Sequence, residues 1–174
     1  RKSLAHSYRL TAFIAAGVLI LSQSFASLVL TGLHTPSNII GMSLLYLRII
    51  FCGIPATAAY NMFASALRAM GNSKTPLTAM IIASVLNVSL DILFVAGFGW
   101  GVAGAAIATV IAQSFSAVYC FLILRRIDIV HLTRADFMPA SGMNARLMKL
   151  GIPVVFQNII IGVGGLVVQY VING

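Results

Sequence analysis

The stretch PLTAMIIASVLNVSLDILFVAGF, residues 76–98, decides the fold of this chain. It is long and apolar enough to cross the hydrocarbon core of a bilayer as one helix, for which about 20 residues suffice. Four further stretches have the same character: 10–33, 39–70, 102–124 and 152–172. The sequence therefore predicts an all-α, polytopic membrane helix bundle with five transmembrane helices.

The composition excludes a water-soluble domain. Hydrophobic residues make up 60% of the 174-residue chain, charged residues make up 8%, and the mean hydropathy is +1.01. An average soluble domain carries about 25% charged residues. Both cysteines, Cys52 and Cys120, fall in predicted spans. A thiol behaves there as a small hydrophobic group, so we predict neither a disulfide nor a metal site built on cysteine.

The positive charges indicate membrane topology rather than nucleic-acid binding. The formal net charge is +8, and all Lys and Arg residues except Arg48 lie in the ranges 1–9, 68–74 and 125–149. These ranges precede the first span or flank the second and fourth connectors, whereas the first and third connectors carry no Lys or Arg. Cytoplasmic connectors are enriched in Lys and Arg. We therefore predict a cell-membrane protein with residue 1 on the cytoplasmic side.

Connector length divides the chain into two unequal parts. The first four spans are joined by short turns, which are typical of an antiparallel bundle, whereas the fourth connector is long and basic. We predict that residues 1–126 are part of one lobe, that 127–150 is a cytoplasmic connector between lobes, and that 151–174 is the truncated first helix of a second lobe. The chain is accordingly expected to be a piece of a larger protein.

Glycine and proline predict where the helices break. The second span would extend about 48 Å as a straight helix, which exceeds the hydrocarbon thickness of roughly 30 Å. Gly53-Ile54-Pro55 interrupts it, so we predict a kink at this point. In the following turn, Gly71 suits a helix C-cap, Thr75 an N-cap and Pro76 the first helical position.

Five polar residues are predicted to share one depth in the outer half of the membrane. Asp91 is the only acidic residue in any span, and Asn87 lies one helical turn before it on the same helix face. At 1.5 Å per residue, Tyr46, Arg48 and Thr109 reach a similar depth on two other helices. An intramembrane carboxylate is costly and indicates a functional site. Two interpretations are open: a binding site, or a structural Arg48–Asp91 ion pair with interhelical hydrogen bonds around it.

Three segments resemble the multidrug and toxic compound extrusion (MATE) family of transporters. Residues 53–76, with Gly53-Ile54-Pro55 and the run SALRAMGNSKTP, are similar to the end of the fourth helix in that family. Residues 86–94 (LNVSLDILF) and 101–109 (GVAGAAIAT) are similar to the next two helices. The resemblance covers essentially the whole chain, as helices three to seven of a presumed twelve-helix transporter built of two lobes.

The resemblance implies an antiporter that exports organic cations and amphipathic drugs by alternating access, coupled to a proton or a sodium ion. By position, Asp91, Asn87 and Thr109 match the family's cation- or proton-binding cluster, and Tyr46 falls near a tyrosine close to it; Arg48 has no match. No cofactor, and no metal beyond sodium at this cluster, is implied. The implied partners are a small cationic or amphipathic substrate, the lipid bilayer and the remaining helices of the transporter, without nucleic acid.

Two other functions are open from the sequence. A lipid-linked saccharide flippase has a related two-lobe architecture, but such cavities tend to carry several basic residues, and Arg48 is the single basic residue in the interior of a predicted span, since Arg68 lies at the end of the 39–70 stretch. A non-transporting membrane scaffold would use Asp91 as a structural pair. An enzyme is disfavoured because the sequence has no His-Glu-x-x-His pair, no second intramembrane aspartate and no Gly-x-Ser-x-Gly elbow.

Overall fold

The computed structural model describes residues 2–33, 36 and 38–127, together with 149, 152, 156, 159–160, 163–165, 167–169 and 171–172. The predicted connector 127–150, the fifth span and the boundary between the two lobes lie largely outside the described residues.

Helices account for almost all of residues 2–125. They are α1 (Lys2–Gly32), α2 (Ile40–Cys52), α3 (Ile54–Ala69), α4 (Lys74–Asp91), a π-helix (Ile92–Gly97) and α5 (Gly101–Arg125). The described part of the chain contains no strand. Four helical stretches are long and apolar enough to cross a membrane: Leu4–Gly32, Ile40–Ala69, Lys74–Gly97 and Gly101–Arg125. The prediction of an all-α, multi-pass membrane bundle is confirmed for these four spans.

The helix α1 begins earlier than the sequence predicted, at Lys2 rather than at residue 10. Hydropathy marks the part of a helix that suits hydrocarbon, but it does not mark where helical backbone hydrogen bonding starts. The residues before Leu10 therefore extend the same helix beyond its apolar part, with Ala5 fully buried against the bundle.

The predicted break in the second span is confirmed at Gly53, which separates α2 from α3. Gly53 is buried, and a Cβ atom there would lie 3.0 Å from the carbonyl oxygen of Ile50, 3.0 Å from Val110 Cγ2 and 3.1 Å from Gln113 Oε1. Pro55 stands in the first turn of α3, where its missing N–H breaks no helical hydrogen bond. Glycine thus allows α5 to pack closely against the joint.

The turn after α3 is closed by Gly71, as predicted. Gly71 has a φ of 81°, its N–H donates to Arg68 O at 3.0 Å, and the N–H of Asn72 donates to Leu67 O at 2.9 Å. These two bonds form a Schellman motif, in which a left-handed residue satisfies the last carbonyls of a helix.

The predicted start of α4 is wrong by a few residues. The helix begins at Lys74 rather than at Pro76. Its N-cap residue is Ser73, which makes no side-chain capping bond. Thr75 is already helical, and its N–H donates to Asn72 Oδ1 at 3.1 Å. The capping oxygen therefore comes from Asn72 and not from Thr75. The helix starts two residues earlier than the Thr-Pro pair indicated, directly after the left-handed turn at Gly71.

The helix α5 occupies the centre of the described bundle. It packs against α4, α3 and α2, whereas α1 packs against α2 and α3. Among the described residues, α2 and α4 make no close backbone contact. A buried cluster fixes the end of the bundle at which α3 and α5 finish and α4 begins; it comprises Phe63, Leu67, Ala79, Cys120 and Leu124.

Candidate functional site

Asn87 and Thr109 join α4 to α5. The side-chain N–H of Asn87 donates to Thr109 Oγ1 at 3.4 Å, and the Thr109 hydroxyl donates to Ala105 O at 2.9 Å. Both side chains are partly buried. The structure therefore brings together two of the sequence-predicted site residues, in a contact that is near the upper limit for a hydrogen bond.

Asp91 lies one turn beyond Asn87 and is the last residue of α4. Asp91 as a whole is partly buried, and its Oδ1 atom is buried without a hydrogen-bond partner in the described part of the chain. An unpartnered buried carboxylate oxygen is unfavourable unless it is neutralised or bound by another group. The π-helix begins at the next residue, Ile92. Short π-helical segments of this kind occur frequently at functional sites.

Tyr46 and Arg48 lie on α2, whereas Asn87 and Thr109 lie on α4 and α5. Tyr46 is 36% exposed, Arg48 is exposed, and the carbonyl oxygen of Arg48 accepts a bond from Gln23 Nε2 at 2.9 Å. Among the described residues, α5 packs against both α2 and α4, whereas α2 and α4 make no close backbone contact with each other. The layer of five polar residues therefore stays a prediction, of which the structure shows the Asn87–Thr109 contact.

An ion pair between Arg48 and Asp91 finds no support in this geometry. Arg48 does not reach the buried Oδ1 atom of Asp91, which has no hydrogen-bond partner among the described residues. The two residues also lie on helices that make no close backbone contact with each other in their described parts. A structural pair would require the carboxylate and the guanidinium to meet within about 4 Å.

A cavity of about 350 Å³ lies between α3, α4 and α5 and extends to the Asn87–Thr109 contact. Its wall combines polar and apolar side chains, and Tyr60, which also lines it, donates its hydroxyl to Pro76 O at 3.3 Å. The residues that line it include Thr57, Asn61, Met80, Ser84, Asn87, Thr109, Gln113 and Ser116. A concave, largely apolar site with a few polar groups is the usual form of a small-molecule pocket.

Thr57 and Gln113 were not predicted as site residues. The hydroxyl of Thr57 donates to Gln113 Oε1 at 2.6 Å, beside the joint at Gly53. A signal was present on α5, because Thr109, Gln113 and Ser116 follow one another at intervals of four and three residues and so share one helix face. Thr57 has no such pattern and looks like an ordinary helix residue.

Comparison with known families identifies the chain. Residues 1–93, more than half of its length, match the family profile described as MatE. The chain belongs to the MatE family. This confirms the resemblance to MATE transporters that the three sequence segments indicated.

The chain is similar to curated MATE relatives over most of its own length. It is 36% identical over 148 residues to the probable multidrug resistance protein YpnP of Bacillus subtilis (strain 168), covering 85% of this chain and 33% of YpnP. It is 24% identical over 172 residues to the multidrug export protein MepA of Staphylococcus aureus (strain NCTC 8325 / PS 47), covering 97% of this chain and 38% of MepA. The chain thus spans about a third of the length of the curated relatives it matches.

A solved structure has the same fold. It is described as the inward-facing conformation of a multidrug resistance MATE family transporter of the MOP superfamily. The TM-score is 0.80 at 24% sequence identity, and the match covers 86% of this chain and 34% of that one. Together with the four apolar helices, this supports a multi-pass membrane protein.

Proposed function

We propose that this MatE-family chain supplies part of the drug cavity and the coupling-ion site of an antiporter. The transporter would export organic cations and amphipathic drugs by alternating access, coupled to a proton or a sodium ion. The observation that carries the proposal is the Oδ1 atom of Asp91, which is buried without a hydrogen-bond partner among the described residues, one turn from the Asn87–Thr109 contact at the cavity wall.

The proposed cycle depends on the charge of Asp91. A proton or a sodium ion at the Asp91 carboxylate removes an uncompensated negative charge, and the oxygens of Asn87 and Thr109 are the kind of ligand that a hard cation prefers. The neutralised site no longer attracts a cationic drug, so the site binds either the coupling ion or the drug at one time. Each ligand shifts the transporter toward the state that it binds better.

The cavity suits amphipathic substrates. Its volume of about 350 Å³ falls within the range of roughly 300–1,000 Å³ that is usual for small-molecule pockets. Its lining includes the apolar side chain of Met80 and the ring of Tyr60 together with the polar side chains of Asn61 and Gln113. A flexible thioether and an aromatic ring adapt to substrates of different shape.

A saccharide flippase is not favoured by the family relationship or by the charge of the cavity. Among the residues that the structure describes, no Lys or Arg lines the cavity, whereas the pyrophosphate of a lipid-linked sugar calls for basic groups. A non-enzymatic transporter in the cell membrane, with residue 1 on the cytoplasmic side, is the arrangement we propose. Arg68, Lys74 and Arg125 support it, because they lie at helix ends that an antiparallel bundle brings to one side of the membrane, the side from which α1 starts at Lys2.

Ethidium efflux from cells tests the proposal. The complete transporter that contains this chain is compared with its Asp91→Asn variant at equal expression, and Ser89→Ala is the matched control because its hydroxyl donates only to Val85 O in the same helix. We expect Asp91→Asn to abolish efflux and Ser89→Ala to keep it. Unchanged efflux in Asp91→Asn contradicts coupling at Asp91. Absence of efflux from the unmodified transporter contradicts drug export and favours the flippase or scaffold interpretation.

A further inference from the structure

An aromatic cluster lies just beyond Asp91, at the hairpin between the π-helix and α5. It consists of Phe94, Phe98 and Trp100, and each ring contacts the other two. The ring centroids are 5.2 Å apart for Phe94 and Trp100, 5.4 Å for Phe98 and Trp100, and 6.0 Å for Phe94 and Phe98. These separations are typical of interacting aromatic pairs.

The backbone holds this aromatic cluster in place. The N–H of Trp100 donates to Phe94 O at 2.9 Å. Trp100 stands between Gly99 and Gly101, whose φ values of 69° and 53° lie in the left-handed region that favours glycine. A Cβ atom at Gly104 would lie 2.9 Å from Phe94 Cβ and 3.1 Å from Trp100 Cβ, so glycine lets α5 approach both residues. The cluster is therefore preformed rather than a chance collapse of three exposed rings.

The aromatic cluster keeps accessible ring surface although its members pack together. Phe98 is 56% exposed and Trp100 is 51% exposed. It also follows the proposed site along the chain. Met80, Ser84 and Asn87 of α4 line the cavity, Asp91 ends that helix, and Phe94 lies in the π-helix that begins at the next residue. The cluster therefore comes directly after the carboxylate in the chain, at the hairpin that leads into α5.

The chemistry of this surface selects for organic cations. The face of an aromatic ring attracts a cation within about 6 Å of its centroid, most strongly for tryptophan. The sequence from 92 to 124 contains no charged residue, so no neighbouring Lys or Arg in this stretch competes for the rings. A bare proton or a hydrated sodium ion gains little from such a surface, whereas an organic cation offers both charge and apolar area.

We propose that the Phe94–Phe98–Trp100 cluster is a cation–π site for organic cations next to Asp91. The inference rests on the proposed function and deepens it. In this arrangement the aromatic rings select cationic substrates, and the Asp91 carboxylate binds the coupling ion. An aromatic belt that only anchors the hairpin at the membrane interface is the competing explanation. In that explanation the rings must be amphipathic, but transport does not depend on the electrostatic potential of their faces.

Graded fluorination of Trp100 separates these two explanations. The complete transporter is reconstituted in vesicles, and tryptophans with increasing numbers of ring fluorines are placed at position 100 by site-specific incorporation. Fluorine weakens the negative potential of the ring face but nearly keeps its shape and apolar character. We expect the KM for ethidium to rise stepwise with fluorine number and to reach an increase of about two- to five-fold for Trp100→Leu, the range of an exposed cation–π contact. The maximal rate should change less than KM.

Phe115→Leu is the matched control for loss of an aromatic contact. Phe115 stacks on Tyr119 within α5 at 6.1 Å, away from the cluster, and its replacement should leave the KM for ethidium unchanged. A KM that is flat across the fluorinated series, while the unmodified transporter moves ethidium, overturns the cation–π site and leaves the proposed function intact. Absence of ethidium transport by the unmodified transporter overturns both.

Discussion

Gly104→Ala should push the π-helix that follows α4 away from α5 and disturb the proposed ion site. The added Cβ would lie 2.9 Å from Phe94 Cβ and 3.2 Å from the carbonyl carbon of Phe94. Carbon atoms in favourable contact are about 3.5–4.0 Å apart, so the helices must move by roughly 0.6 Å or more. If α4 moves together with the π-helix as one rigid segment, the 3.4 Å contact between Asn87 and Thr109 lengthens to about 4.0 Å, beyond hydrogen-bond range.

The energetic effect of Gly104→Ala follows from two opposing terms. Overpacking costs about 1–3 kcal/mol, whereas replacing glycine by alanine inside a helix contributes about 0.5–1 kcal/mol of stability. Phe94 Cβ and the Phe94 backbone cannot swing aside as the end of a flexible side chain can, so overpacking should win. We expect a net loss of about 1–2 kcal/mol.

Gly17→Ala is the matched control, because Gly17 lies within α1 and a Cβ atom there would have nothing within 4 Å. Heat resistance of the purified transporter measures stability, and efflux at a series of proton and sodium concentrations measures the ion site. Gly104→Ala should lower heat resistance and raise the half-saturating ion concentration, whereas Gly17→Ala should do neither. Equal stability and equal ion dependence of the two variants would refute the close-packing argument.

Three further predictions concern single hydrogen bonds. Thr57→Val removes the 2.6 Å bond to Gln113 and should lower heat resistance by an amount equivalent to about 0.5–1.5 kcal/mol, whereas Thr57→Ser should keep it; equal values for the two would contradict a role for the hydroxyl. Thr109→Val should raise the half-saturating coupling-ion concentration for efflux while Thr109→Ser does not, and an unaltered ion dependence in Thr109→Val would remove Thr109 from the site. Asn72→Ala removes the cap on Thr75 and should cost about 1 kcal/mol in the same heat-resistance assay without changing ion dependence; unchanged heat resistance would show that this cap adds no stability.

Local signals predicted most of the fold. The stretch 76–98 became Lys74–Gly97, and the break at Gly53 appeared where glycine and proline interrupt an overlong span. Hydropathy, helix breaks and left-handed turns depend on residues that are close together in the chain, so they can be predicted from a single sequence. The early start of α1 and the π-helix at Ile92–Gly97 were not predicted, because they depend on packing against the rest of the bundle.

The candidate site was predictable in part. The spacing of four residues places Asn87 and Asp91 on one face, and depth selected Thr109 as a neighbour on the next helix. Depth alone also selected Tyr46 and Arg48, whose helix α2 makes no close backbone contact with α4 among the described residues. The missing information is the order of helices around the bundle, which hydropathy and length do not contain. The roles of the five residues remain predictions.

Ethidium binding to the purified transporter at varied pH and sodium concentration tests the central claim most directly. If one carboxylate binds either the drug or the coupling ion, the Kd for ethidium should rise about tenfold for each tenfold increase in the coupling ion at high concentrations of that ion. The dependence on that ion should disappear in Asp91→Asn. A Kd that is independent of both ions in the unmodified transporter, or an ion dependence that survives in Asp91→Asn, would contradict exchange at Asp91.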